Sequence, residues 1–237
     1  MAPVAGSGDE WSETAMLVID MQKDFVDPAT SSAALLAGEA ILPTVTAAVA
    51  VARQRGIFIV WVVREHDPSG RDVELFRRHF YSSGKGLGVE GSKGAELADG
   101  LTIKDGDYKL VKTRFSAFFA THLDSVLKTS GIKNLVIVGV QTPNCIRQTV
   151  FDAVALDYDK VAVIIDATAA AKPEHYFMLN SKHDRYEEYR SGNTNLGGMA
   201  TLNLLLRTAR VITGNLLHIY VRPPPSWMHH RQQRLDL

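Results

Sequence analysis

The chain has 237 residues, of which 46% are hydrophobic and 22% charged, and its 26 basic side chains balance its 26 acidic ones. This length can bury one sizeable α/β core, while the balanced charge and the lack of an apolar run of about 18 residues favour neither a nucleic-acid partner nor a membrane. One cysteine, Cys145, excludes an intramolecular disulfide and a cysteine-rich zinc site, and with no secretory signal visible in residues 1–10 we expect a cytoplasmic protein.

Five short apolar runs predict the strands of a sheet. They cover residues 15–20, 57–63, 108–112, 134–140 and 161–166. Near-continuous runs of this kind, mostly rich in β-branched residues, are typical of parallel strands that are buried on both faces.

Amphipathic segments lie between these runs and predict three helices. The first has apolar residues at helical spacing from Ile41 to Ala52, and Gly56 ends it. The second has Phe119, Leu123, Val126 and Leu127 after a candidate N-cap at Ser116, and the third has Ile146, Val150, Ala153 and Val154. Alternation of strands and helices predicts a doubly wound α/β fold, with a mostly parallel sheet and helices on both faces.

Two stretches do not follow the alternation. Residues 64–106 are polar and Gly-rich, with room for two short helices, and connections of that length usually form lids or pocket walls. From about Glu174 onward, residues 199–210 predict a helix and residues 216–221 predict a strand, whereas the Pro-rich, basic end predicts disorder.

Three reactive side chains stand where predicted strands end. Asp20 ends the first strand, Lys112 ends the third, and Cys145 lies in the turn after the fourth. Ligands of open α/β sheets bind outside the carboxyl ends of the strands, so we expect these three side chains to converge. An acid, an amine and a thiol together are the components of a nucleophilic active site.

Cys145 is predicted at or near the first residue of a helix. The free amides and positive end of a helix, together with a nearby Lys112, would lower the pKa of the thiol, and Asp20 would take its proton or hold the amine. The same amides can bind an oxyanion. The alternative is a buried, inert cysteine, which is common for this residue type.

Four segments resemble the isochorismatase-like cysteine hydrolases, which include nicotinamidases and amidohydrolases of ureido and carbamoyl compounds. The segments are LVIDMQKDF (17–25), KTRFSAF (112–118), GVQTPNCIRQTVFDAVALDY (139–158) and DATAA (166–170). The resemblance implies a Rossmann-like hydrolase domain over residues 14–175. It leaves residues 176–237 as a divergent region that we expect to be partly disordered.

The resemblance also implies a site and a reaction. The catalytic triad falls on Asp20, Lys112 and Cys145, the peptide bond between Val140 and Gln141 is expected to be cis, and the amides of Gln141 and Cys145 are expected to form an oxyanion hole. The implied reaction is hydrolysis of the C–N bond of a small carboxamide or ureido compound through an acyl-thioester. No cofactor is expected, the partner is the small substrate, and a homo-oligomer would be ordinary.

Nicotinamidases carry a metal site with an Asp-x-His pattern and a second histidine downstream. The corresponding segment here is VVREHDP (62–68), and we place Glu65 and Asp67 at the positions of the aspartate and the first histidine. We therefore expect a solvated charged loop and no metal, although His66 and His79 are nearby.

Five further residues are candidates for the substrate pocket. Arg64, His66 and Arg71 are candidates to meet an anionic group of the substrate, and the alternative is that they lie only on its rim. Phe25 and Phe115 are candidates for the pocket wall, and the alternative for each is a place in the core.

Two other functions compete with the hydrolase. A catalytically inactive relative would bind a small molecule or a protein through the same pocket, and the altered metal segment and the divergent C-terminal region favour it. A redox sensor would use Cys145 as an oxidisable thiol, but the chain has no second cysteine to resolve the oxidised form.

Overall fold

The structure is a computed structural model and describes residues 11–30 and 36–170. Five strands lie in this part of the chain: β1 (Thr14–Ile19), β2 (Phe58–Arg64), β3 (Tyr108–Lys112), β4 (Asn134–Val140) and β5 (Lys160–Ala169). They form one sheet in the order β3-β2-β1-β4-β5, and every pair of neighbours is parallel. The predicted parallel α/β sheet is confirmed.

Within residues 11–30 and 36–170, five helices connect the strands: α1 (Lys23–Val26), α2 (Leu36–Gln54), α3 (Arg78–Ser82), α4 (Leu123–Thr129) and α5 (Arg147–Ala155). Short 3-10 turns at Leu75–Arg77 and Lys93–Ala95 lie in the long connection between β2 and β3. One π-helical turn, Thr142–Ile146, lies between β4 and α5. Within the described ranges, no helix is both long and apolar enough to cross a membrane.

The two faces of the sheet carry separate hydrophobic clusters. One cluster packs α2 against the sheet around Trp61, which is fully buried. The other packs α4 and α5 against the opposite face and includes Leu123, Leu127 and Cys145. The predicted helices on both faces are therefore confirmed.

The predicted start of the second helix is wrong. The helix begins at Leu123, and the hydroxyl of Ser116 accepts a hydrogen bond from the amide of Phe118 in a local turn. Serine favours such local bonds, and here they compete with an earlier helix start. Phe119 consequently lies outside the helix and is 59% exposed.

The segments predicted at residues 199–210 and 216–221, and the disorder predicted for the C-terminal end, lie outside the described residues.

The register of the sheet brings the ends of three strands together. Arg64 pairs with Lys112, while Ile19 pairs with Val62 on one side and with Gly139 on the other. The residues that follow β1, β3 and β4 therefore meet at one edge, as expected for parallel strands.

Gly139 makes this close arrangement possible. Its φ is +114°, and a Cβ atom added there would lie 2.0 Å from the carbonyl oxygen of Ile19, the residue before Asp20. Only glycine adopts this conformation without strain.

We expect Gly139→Ala to lower the free energy of unfolding by about 3 kcal/mol or more, because the added methyl group displaces the backbone of β1. The matched control is Gly131→Ala: φ is +73° and the added Cβ has no heavy atom within 4 Å. This control should lose only about 1 kcal/mol. Urea unfolding of both variants measures the difference, and equal losses would contradict the close packing.

Candidate active site

A buried ion pair joins the ends of β1 and β3. Lys112 Nζ lies 2.8 Å from Asp20 Oδ2, and the two residues are 1% and 3% exposed. Lys112 Nζ also donates to the carbonyl oxygen of Arg114, at 3.2 Å. The amide of Asp20 donates to the carbonyl oxygen of Val62, which fixes the backbone at the end of β1. Buried charges need such partners because neither group is solvated by bulk water.

Cys145 lies on the π-helical turn that connects β4 to α5, and it is 5% exposed. The turn is closed by the amides of Asn144 and Ile146, which both donate to the carbonyl oxygen of Gln141. The peptide bond between Val140 and Gln141 is cis, which confirms the prediction. The oxyanion hole at the amides of Gln141 and Cys145 stays a prediction.

Arg64 lies closer to Cys145 than its prediction as a pocket residue implied. Its Nη2 is 3.9 Å from Cys145 Sγ, and its Nε is 3.7 Å from Asp20 Oδ2. It is the last residue of β2 and only 1% exposed. Because side chains alternate along a strand, Arg64 points to the face of Val62 and Cys145, whereas Glu65 does not.

The expected lowering of the Cys145 pKa is not what the structure shows. Burial raises the pKa of the thiol, and the negative charge of Asp20 raises it further, against the opposing effects of Lys112 and Arg64. The prediction considered how nearby cations and the helix end lower the pKa of Cys145. It did not consider that burial removes solvent from the sulfur and raises this pKa. The resting site therefore holds a neutral thiol beside a carboxylate.

Arg64 has a second acidic neighbour in Glu74. Both terminal nitrogens of Arg64 lie 3.4 Å from Glu74 Oε1. Burial alone would lower the pKa of Arg64, but its acidic neighbours Cys145, Asp20 and Glu74 raise it on balance. Burial alone would raise the pKa of Glu74, but Arg64 lowers it on balance. Both groups are therefore charged at neutral pH.

His66 also contacts the Arg64 guanidinium. Its Nε2 lies 3.3 Å from Arg64 Nη1, and its Nδ1 lies 3.6 Å from Asp72 Oδ2. Burial and the charge of Arg64 lower the pKa of His66. Because a guanidinium only donates, Nε2 is the acceptor, and this assigns the proton of the neutral imidazole to Nδ1.

The other candidate pocket residues are divided between the site and the rest of the molecule. The Phe115 ring centroid lies 5.4 Å from Arg64 Cζ, so this ring belongs to the site. Phe25 lies in the cluster on the α2 face, and the structure does not bring it together with Cys145. Arg71 is 79% exposed and pairs with Asp67.

Glu74 and Arg77 were not predicted from the sequence. Glu74 lies beside Arg64, and Arg77 Cζ lies 5.2 Å from the Phe115 centroid. Both lie in the connection between β2 and β3, whose charged sequence is typical of a solvated surface segment. The sequence signal for a packed segment here is the apolar pair Leu75 and Phe76, which lies between the two charged residues. Both apolar side chains are nevertheless exposed.

The residues present do not fit the metal site of nicotinamidases. Glu65 pairs with Lys109 at a groove of about 400 Å³ on the α2 side, and Asp67 bonds to Ser69 and Arg71. His66 Nε2, a potential ligand atom, faces the guanidinium of Arg64. Within the described residues, no group of three or more His, Cys, Asp or Glu side chains is placed to hold a metal ion.

Comparisons with known proteins identify the family of the domain. The sequence profile of the isochorismatase domain matches residues 14–184. A curated relative from Arabidopsis thaliana, named "Probable inactive nicotinamidase", is 63% identical over 168 residues, which cover 70% of this chain and 85% of the relative.

Two solved structures are similar over the same part of the chain. An isochorismatase family protein from Desulfovibrio vulgaris is 43% identical with a TM-score of 0.66, covering 69% of this chain and 85% of that one. N-carbamoylsarcosine amidase from Thermoplasma acidophilum is 27% identical with a TM-score of 0.59, covering 70% of this chain and 91% of that one.

Alkylation of Cys145 by iodoacetamide tests the electrostatics of the site. We expect the rate to rise with a midpoint above the ordinary thiol pKa of about 8.5. Asp20→Asn should lower the midpoint because it removes a negative charge, and Lys112→Met should raise it because it removes a positive one.

Mass spectrometry measures the reaction at a single site, because Cys145 is the only cysteine. The matched control is Asp99→Asn, whose carboxylate is 91% exposed and pairs with Lys23. A midpoint below about 8.5 in the folded wild-type protein would contradict a neutral resting thiol.

Proposed function

The chain belongs to the isochorismatase family, and on this premise we propose that it is a cysteine hydrolase of C–N bonds in small carboxamides or ureido compounds. The observation that carries the proposal is the convergence of Cys145, Asp20 and Lys112, each from a different strand end, in one buried site. In this proposal the hydrolase domain is residues 14–175, the partner is the small amide, and the location is the cytoplasm.

The first half of the reaction forms an acyl-enzyme. Asp20 takes the proton of the Cys145 thiol as the sulfur attacks the carbonyl carbon, so the S–C bond forms while the carbonyl π bond moves onto oxygen. The amides of Gln141 and Cys145 stabilise this oxyanion. Collapse of the tetrahedral intermediate breaks the C–N bond, and Asp20 returns the proton to the leaving nitrogen.

The second half releases the product. Water attacks the thioester carbonyl, and Asp20 takes a proton from it. The C–S bond then breaks, a carboxylic acid leaves when the substrate is a carboxamide or a carbamic acid when it is a ureido compound, and the proton returns to sulfur. Asp20 thus takes up and returns one proton in each half of the reaction. The second return restores the neutral thiol with which the cycle started.

Lys112 has a positioning role in this scheme. At 2.8 Å from Asp20 Oδ2 it fixes the carboxylate, and its charge favours the thiolate as the proton leaves sulfur. Arg64, at 3.9 Å from Sγ, adds to this effect. Both cations therefore stabilise the state that attacks, while burial stabilises the neutral thiol at rest.

A second candidate function is an inactive member of the family that binds a small molecule. The 63% identity to a relative named "Probable inactive nicotinamidase" favours this candidate. A second observation favours inactivity toward nicotinamide in particular. His66 Nε2 faces the Arg64 guanidinium, and the described residues do not fit the metal site of a nicotinamidase. The buried triad favours the hydrolase.

Ammonia release from a panel of small carboxamides and ureido compounds separates the two functions. We expect turnover of at least one compound, and no turnover by Cys145→Ala, because that variant lacks the nucleophile. Asp20→Asn should reduce kcat by about 100-fold to 10,000-fold because proton transfer through the carboxylate is lost.

The matched control for Asp20→Asn is again Asp99→Asn, which should keep the wild-type kcat because its carboxylate is 91% exposed. Intact-mass analysis at early times should show the acyl adduct on Cys145. Absence of turnover across the panel by a folded protein, together with saturable binding, would favour the inactive relative.

A further inference from the structure

The side chain of Gln22 is fully buried and makes three hydrogen bonds to backbone groups. Its Oε1 accepts from the amide of Arg64, and its Nε2 donates to the carbonyl oxygens of Arg64 and Ala95, each at 2.8 Å. Gln22 is 0% exposed, and these lengths are close to the optimum for N–H···O bonds. The side chain is therefore held in one orientation, and in return it holds the backbone of Arg64.

The amide of Gln22 continues the sheet where β1 leaves it. β1 pairs with β2 as far as Ile19 and Val62, and the amide of Asp20 still donates to the carbonyl oxygen of Val62. Asp20 has a φ of +52°, which turns the chain out of the strand direction. Further along β2, the side-chain amide of Gln22 gives Arg64 the hydrogen bonds that the next residues of β1 would have supplied.

The connection between β2 and β3 fixes Gln22 itself. In addition to the bond at Ala95, the carbonyl oxygen of Glu96 accepts from the amide that follows Gln22, at 2.9 Å. The amide of Ala98 donates to the carbonyl oxygen that precedes Gln22, also at 2.9 Å. Gln22 is thus anchored through both its backbone and its side chain, so it cannot follow a displaced Arg64.

The guanidinium of Arg64, by contrast, makes only long polar contacts with the described residues. They are 3.3 Å to His66, 3.4 Å to Glu74, 3.7 Å to Asp20 and 3.9 Å to Cys145. Charge-assisted hydrogen bonds are normally about 2.7–2.9 Å long. The position of the guanidinium therefore depends more on where the backbone of Arg64 lies than on its own ion pairs.

We propose that Gln22 is a positioning residue, whose bonds to the backbone of Arg64 keep the guanidinium next to the sulfur of Cys145. This inference rests on the proposed function, in which Arg64 stabilises the thiolate that attacks the substrate. Burial and Asp20 raise the pKa of the Cys145 thiol, and the charges of Lys112 and Arg64 oppose them. A Coulomb interaction weakens as the charges separate, so release of the Arg64 backbone would weaken this opposition.

Alkylation of Cys145 by iodoacetamide tests the inference without depending on turnover. Gln22→Met has a side chain of similar length without hydrogen bonds, and it should raise the midpoint of the rate by at least about 0.5 pH unit. Arg64→Gln should raise the midpoint at least as much, because it removes the charge. Adding Gln22→Met to Arg64→Gln should not raise the midpoint again, because Gln22 acts through Arg64.

Two control variants separate this effect from a loss of stability. Val45→Ala removes buried apolar atoms on the α2 face and should lower the free energy of unfolding without changing the midpoint. Gln148→Met replaces an exposed glutamine on α5 and should change neither quantity. Gln22→Asn is the second test variant, since it keeps the amide on a shorter side chain, and its midpoint should also lie above that of the wild type.

Three results would overturn the inference. They are an unchanged midpoint in a folded Gln22 variant, no rise in Arg64→Gln, and an equal rise from Gln22→Met with and without Arg64. Failure of both Gln22 variants to fold, while Arg64→Gln folds, would overturn it too, because Gln22 would then serve the fold alone.

The same measurements distinguish this inference from the hydrolase proposal. A rise in the midpoint that depends on Arg64, without turnover of any panel compound, would support the positioning role and contradict the hydrolase. An unchanged midpoint in folded Gln22→Met, with amide turnover by the wild-type enzyme, would leave the hydrolase proposal intact and overturn the positioning role.

Discussion

The buried ion pair between Lys112 and Asp20 is the interaction on which the site depends. The pair joins β1 to β3, two strands that are not neighbours, across the end of β2. Removing the Asp20 charge would leave the Lys112 ammonium buried with no charged partner among the described residues, which typically costs about 3–5 kcal/mol. The pair therefore holds the carboxylate in a fixed position at the sheet edge, and the thiol on the turn after β4 is placed against it.

Parallel register decides which other residues reach this edge. Arg64 is opposite Lys112 in the ladder, and strand alternation turns its side chain toward the face that carries Cys145. Glu65, one residue later, points to the other side and pairs with Lys109. A shift of one residue would exchange the two, so that the site would hold a carboxylate in place of a guanidinium.

The sequence was sufficient for the sheet and for the shared edge at which Asp20, Lys112 and Cys145 lie, because both depend on local patterns. Apolar runs mark the strands, and polar residues at their ends mark the edge where Asp20 and Lys112 meet. It was not sufficient for Glu74 and Arg77, because their positions depend on how an irregular connection folds back over the sheet. It also gave the wrong direction for the Cys145 pKa, since burial depends on tertiary packing that a helix position does not reveal.

The raised thiol pKa and the hydrogen bonds of Gln22 are connected through Arg64. In the free protein Arg64 is one of two cations that favour the thiolate, and burial together with Asp20 outweighs them. A neutral thiol becomes the attacking group only as its proton moves to Asp20, so the two cations act on the sulfur during that transfer. Their effect depends on distance: Lys112 is fixed by its ion pair with Asp20, whereas Arg64 is fixed through its backbone by Gln22. The two proposals are therefore compatible, because Asp20 acts as the base while Gln22 keeps one of the two cations close to the developing thiolate.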